Sequence, residues 1–213
     1  MDNWVMRTFG TSVGKKQLMA VTGLSFIGFL TMHLIGNLTI YLGKDSFNAY
    51  AEHLHALGPL VTVAELGLLL LACVHVTTGV ILFYQNWKAR PARYTVKKWA
   101  GGRTLFSATM PYTGFLVLLF VLIHLLTFRF VDLTPGIYSV ATDVFRHTGY
   151  VFYFTFSVIV VAFHVKHGLW SAFQTLGANH PKYMPVVSAL SLIFALAVAA
   201  GFGLLPTVFL MMA

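Results

Sequence analysis

Phe163-His164-Val165-Lys166-His167-Gly168-Leu169-Trp170 closes a long apolar run that opens near Gly149, and it carries two histidines and a lysine. An imidazole in hydrocarbon is costly without a partner and marks a functional position by default. Three further apolar runs each carry one histidine well inside their ends, His33, His75 and His124. Four membrane-length runs with one deep imidazole apiece point to bound metal cofactors.

The rest of the composition agrees with that setting. The 213 residues are 58 % hydrophobic and only 9 % charged, against about 25 % charged in a soluble domain. An all-α, polytopic membrane protein is expected, organised as one transmembrane domain over 1–213. Cys73 stands alone, which excludes a disulfide framework and a cysteine-ligated metal cluster. The first apolar run, 18–42, is too long for a signal-peptide core and has no small-residue cleavage site after it. The net charge of +8 sits in loops, where it sets membrane orientation, so no nucleic-acid partner is expected.

Five runs are long enough to span a bilayer, 18–42, 60–84, 111–130, 149–170 and 186–211. Pro59, Pro111 and Pro185 mark helix starts, and Thr134-Pro135-Gly136 marks a turn. No internal repeat is evident, although spans one–two and three–four share a similar layout. Arg7, Lys15 and Lys16 precede the first span. Lys88, Arg90, Arg93, Lys97, Lys98 and Arg103 fill the second-to-third loop, and Lys182 the fourth-to-fifth. Lys44, Arg129 and Arg146, in the remaining loops, are offset by Asp45, Glu52, Asp132 and Asp143. The positive excess therefore falls on one side, which places the N-terminus in the cytoplasm and the C-terminus outside an inner (cytoplasmic) membrane. Phe47, Tyr50, Leu54 and Leu57 recur at helical spacing in the first external loop, as a short interfacial helix or a loop with aromatic anchors.

Residue counting gives the depth of each histidine. His33 lies 15 residues into span one, roughly 22 Å deep, and His124 lies 13 residues beyond Pro111, roughly 20 Å deep. His75 and His164 each lie 15 residues from the external end of their spans, nearer the cytoplasm. The imidazoles resolve into an outer pair, His33 with His124, and an inner pair, His75 with His164. Two bis-histidine haems stacked across a bilayer require that arrangement. Gly36 and Asn37 share the stripe of His33. His75 and His164 both open a His-x-x-x-Gly pattern, ending at Gly79 and Gly168, where a missing side chain gives a flat macrocycle room. A single buried histidine is equally well explained by an interhelical hydrogen bond; four at matched depths favour ligation. Zinc would need three or four ligands at one point. A proton path would need carboxylates, and Glu65 alone lies inside a run. His164 is favoured over His167, which sits one turn nearer the headgroups and is left as a propionate partner or a solvated group.

These residues resemble a known family. Gly14-Lys15-Lys16-Gln17-Leu18-Met19-Ala20-Val21-Thr22-Gly23, continued by His33-Leu34-Ile35-Gly36-Asn37-Leu38, is similar to the opening of the five-helix, two-haem cytochrome b subunit of succinate dehydrogenase and fumarate reductase. Phe47-Asn48-Ala49-Tyr50-Ala51-Glu52, Glu65-Leu66-Gly67, Thr113-Gly114 and His164-x-x-x-Gly168-Leu169-Trp170 extend the resemblance over nearly the whole chain. It implies two haem b groups on His33/His124 and His75/His164. It also implies a flavoprotein subunit with FAD and an iron–sulfur subunit on the cytoplasmic face, exchanging electrons with a membrane quinone, menaquinone or ubiquinone, among membrane lipid. Some two-haem members carry a glutamate two positions before the ligand of the fourth helix; this chain has Ala162 there.

Within that frame, Arg129 is a candidate for outer propionates, as are Lys44 and Arg146, and Lys166, Arg90 and Arg103 for inner ones; the alternative for each is a headgroup-facing charge. Glu52, His53, His55 and Glu65 are candidates for a quinone site, the first three alternatively forming a polar interfacial loop. Other expectations remain open: a two-haem anchor of a hydrogenase or formate dehydrogenase, and a haem-free transporter or scaffold.

Overall fold

Thr11 starts the bundle. After the short helix α1 (Trp4–Phe9), its Oγ1 accepts from the Gly14 amide at 3.0 Å and donates to the Thr8 carbonyl at 2.7 Å, which satisfies a donor that the first helical turn leaves free. The structure, a computed structural model, describes residues 4–89 and 104–212. Helix α2 runs Ser12–Leu38 and tightens into a 3-10 turn over Thr39–Leu42. Gly43, at φ 105° and ψ 167°, redirects the chain into α3 (Lys44–Ala56), so the first loop is helical. Helix α4 (Pro59–Lys88) opens on a proline whose missing N–H costs nothing at that position.

Helix α5 spans Leu105–Phe128, and Pro111 lies inside it rather than at its start. The start is fixed upstream by a reciprocal cap: Ser107 N donates to Thr104 Oγ1 at 3.1 Å and Thr104 N to Ser107 Oγ at 3.0 Å. The proline then removes only one bond of the helix. Gly136 (φ 86°, ψ 149°) leads into α6 (Ile137–Phe145), a helix where the sequence pattern marks only a turn. Helix α7 follows over Thr148–Thr175. The fifth run is two helices, α8 (Met184–Gly203) and α9 (Leu205–Met212), because Pro206 has no N–H for the Phe202 carbonyl. Five segments are long and apolar enough to cross a membrane, and the chain is an all-α, multi-pass membrane protein. The helices overrun the predicted spans because backbone bonding continues through polar turns such as 12–17, which hydropathy does not count.

Packing runs in a horseshoe. Helix α4 lies on α2, α2 on α7, and α7 on α5, while α4 and α5, the two ends, touch only sparsely. Helix α8 covers α7 from outside. Lys15 Nζ donates to Gln85 Oε1 at 3.3 Å, tying the start of α2 to the end of α4. Outward leucines such as Leu66, Leu70 and Leu126 are exposed in the protein alone, as expected where the solvent is lipid. The buried core gathers at the end carrying α3 and α6, around Phe47, Tyr138, Phe145, Phe154, Phe202 and Phe209.

An internal repeat, not apparent from the sequence, emerges from this geometry. Thr22-Gly23 precedes His33 on α2 by the same spacing as Thr113-Gly114 precedes His124 on α5. Each of these helices is followed by a glycine at positive φ and a short helix, and then by a long helix carrying His-x-x-x-Gly. The backbone of Gly43 and Gly136 lies in a region that side chains rarely adopt, so glycine is required at equivalent points of both halves.

Candidate functional site

Each member of the horseshoe carries one deep histidine, and each pair joins alternate members. His33 on α2 and His124 on α5 approach with ring centroids 5.9 Å apart and planes at 88°. Phe29 and Phe202 pack on His33, and Phe120 and Phe128 on His124. The Nδ1 of His124 is buried without a hydrogen-bond partner. His75 stands on α4 and His164 on α7.

The His75/His164 pair is built twice in the same way. Thr22 Oγ1 lies 2.9 Å from His75 Nδ1, and Thr113 Oγ1 lies 3.2 Å from His164 Nδ1. Each hydroxyl already donates to its own helix, Thr22 to the Leu18 carbonyl at 2.8 Å and Thr113 to the Met110 carbonyl at 3.1 Å. Its oxygen can then accept Nδ1–H from the imidazole, which in that tautomer keeps a lone pair on Nε2. That is the tautomer that binds a metal through Nε2. A Cβ built on Gly23 would stand 3.4 Å from His75 Cε1, and one built on Gly114 would stand 3.4 Å from His164 Cε1. These glycines let the rings lie against the neighbouring helix. Sequence reasoning puts Thr22 and Thr113-Gly114 near the histidines without giving them a role; the signal for one is the matched Thr-Gly-to-His spacing.

The other candidates separate into distinct settings. Around Gly168 there is open space, and the nearest atom to a Cβ on Gly79 would be Met19 Sδ at 3.8 Å. Gly36 instead receives the ring of Tyr50, whose Oη would stand 2.8 Å from an added Cβ; it makes room for an aromatic side chain of α3. Asn37 donates from Nδ2 to the His33 carbonyl at 2.8 Å, a bond within its own helix. Lys166 Nζ lies 3.7 Å from the centroid of Phe106, and His167 packs on Trp170. Ala162 is buried two residues before His164. Arg103 lies outside the described residues, as do Arg90, Arg93, Lys97 and Lys98.

Arg129 is engaged by Glu65 rather than standing free for a propionate. Nε to Oε1 is 2.6 Å and Nη2 to Oε2 is 3.0 Å, across the sparse side between α4 and α5. The hydrogen bond and charge of Glu65 raise the Arg129 pKa, so the guanidinium stays protonated. Glu52 and His55 line a cavity of about 360 Å³ between α3 and the segment 133–137; His55 Nδ1 donates to the Ala51 carbonyl at 2.7 Å. His53 is exposed, and neither it nor Glu65 lines that cavity. Among the described residues no three His, Cys, Asp or Glu side chains gather where they would hold a metal ion.

No protein-family model, curated protein or solved structure matches this chain.

Proposed function

We propose that this chain is the dihaem cytochrome b membrane anchor of a succinate:quinone oxidoreductase, holding one haem b between His33 and His124 and another between His75 and His164. The observation that carries this reading is the paired set Thr22–His75 and Thr113–His164, in which each Nδ1 has a threonine hydroxyl as partner and Nε2 is the nitrogen that would meet a metal. Further support comes from the residues grouping in twos. The rings of His33 and His124 lie 5.9 Å apart, and one haem would be held between these two imidazoles.

Haem, when bound, supplies one-electron redox chemistry. The chain's part is to fix ring orientation and exclude water. Thr22 and Thr113 hold the His75 and His164 rings in place, while Phe29, Phe120, Phe128 and Phe202 surround the other pair with apolar surface. Glu52 and His55, sharing a cavity at the far end of the bundle from Thr22, are placed to exchange protons with a quinone. The cytoplasmic N-terminus and the flavoprotein and iron–sulfur partners belong to the same proposal, through the positive loops and the resemblance.

A reduced-minus-oxidised spectrum with haem quantitation of the purified chain tests the reading. Two b-type haems per chain are expected. Absence of b-type absorbance would overturn it, and one haem per chain would overturn the two-pair assignment. Co-purification with a flavin-containing subunit separates the succinate or fumarate reading from anchors of other dehydrogenases.

A further inference from the structure

A second cavity, of about 300 Å³, lies at the α3/α6 end of the bundle, lined by Lys44, Ser139, Thr142, Asp143 and Arg146 with Tyr138 and Met212. Lys44 begins α3 just after the first membrane helix, and Arg146 ends α6 just before the fourth. Both cations thus sit where the chain leaves the apolar layer. Lys44 Nζ is held 5.5 Å from the centroid of Tyr138, whose own hydroxyl is committed to the Met212 carbonyl at 2.8 Å. Arg146 Nη1 bonds Asp143 Oδ1 at 3.2 Å, with both side chains largely exposed. The lining carries two positive groups, Lys44 and Arg146, against the one negative group of Asp143, and is net positive.

Thr142 supplies the second observation. It is only 7 % exposed, and its Oγ1 is buried without any hydrogen-bond partner. A buried hydroxyl left unpaired is unfavourable, and a threonine inside a helix ordinarily donates to the carbonyl one turn back. Thr142 lines the same cavity as the ammonium of Lys44 and the guanidinium of Arg146. An acceptor-rich anion would satisfy its hydroxyl.

We infer that this cavity binds a phosphate group, with Lys44 and Arg146 neutralising it and Thr142 donating to one of its oxygens. A phosphodiester headgroup carries the single negative charge that matches the lining, and basic pockets at membrane level take anionic headgroups by this chemistry. The cavity is separate from the histidine pairs. The ring of Phe145 packs on Phe128 and Phe209, and this aromatic layer stands between α6 and His124.

The test uses the full chain in detergent, delipidated, and titrated with short-chain phosphatidylglycerol, phosphatidylcholine and, separately, inorganic phosphate. The K44Q/R146Q double variant is expected to lose at least tenfold in phosphatidylglycerol affinity, and Thr142→Val several-fold. Asp143→Asn should bind more tightly than wild type, because it frees Arg146 and removes a carboxylate. That gain cannot arise from misfolding. Competition by inorganic phosphate would identify the free anion as a source, and its failure to compete would identify the headgroup; either outcome keeps the site. The inference is overturned if the double variant binds as the wild type does, if Asp143→Asn fails to tighten binding, or if Lys182→Gln weakens it as much as Lys44→Gln.

Discussion

Thr22 Oγ1 sits 2.9 Å from His75 Nδ1, across the α2/α4 interface, and its twin Thr113 does the same for His164. Replacing Thr22 by valine keeps the shape and removes the acceptor. Loss of such a partner lowers metal affinity by about 10–100-fold. If the proposed dihaem reading holds, Thr22→Val should weaken haem binding at the His75/His164 pair by that order in a haem titration of the chain, and Thr113→Val should do the same. Thr22→Ser, which keeps the oxygen, should restore it; equal loss in the serine variant would show that packing, not the hydroxyl, matters.

The Arg129–Glu65 pair closes the sparse side of the horseshoe. Its side chains are 47 % and 39 % exposed, so its stability contribution is about 1 kcal/mol or less. Glu65→Gln should therefore fold normally but let α4 and α5 part. Spin labels at the exposed positions Val63 and Leu126 should report a broader distance distribution in the variant than in the parent.

Asp132 carries a pH signature. The Thr134 hydroxyl and amide both donate to its Oδ1, at 2.5 and 2.9 Å, and hold its pKa below the ordinary carboxylate value. A carboxylate whose folded pKa is depressed stabilises the fold fully above its unfolded pKa, about 3.9, and loses that contribution as pH falls through the folded value. Carboxyl NMR should show Asp132 titrating below the ordinary carboxylate value, and Thr134→Val should move it up toward that value.

Phe145 is 3 % exposed and contacts the rings of Phe128, Tyr150, Phe154 and Phe209. Phe145→Ala empties the centre of the aromatic core and should cost about 3–5 kcal/mol, measured by reversible unfolding in mixed micelles. Val198→Ala, at an equally buried but smaller side chain, should cost less.

Much of this architecture is legible in the residue order. Apolar run length locates the five crossings, and counting along them sets His33 beside His124, because rise per residue is nearly constant in a helix. The regular spacing of Phe47, Tyr50 and Leu54 announces α3. Helix α6 stays hidden because a short stretch behind a Pro-Gly turn carries too brief a pattern to stand out, although Tyr138, Ala141 and Phe145 do share a buried face. Pro111 does not open α5 because the reciprocal cap between Thr104 and Ser107, upstream in polar sequence, outweighs one lost backbone bond. Gly36 shares the stripe of His33, but a missing side chain does not say which neighbour fills the gap, and Tyr50 fills it. Glu65 and Arg129 lie far apart in sequence, and only the antiparallel return of the chain brings them together.

The duplicated halves have a consequence for assembly. Each hairpin carries its own threonine–histidine contact, α2 with α4 and α5 with α7, yet each pair of facing imidazoles draws one ring from either hairpin. A chain severed between residues 89 and 104 would yield two pieces, each able to orient its own histidines and neither owning a complete pair. Complementation of the two fragments in one membrane, with neither active alone, is the behaviour of a heterodimer that happens to be written as a single polypeptide.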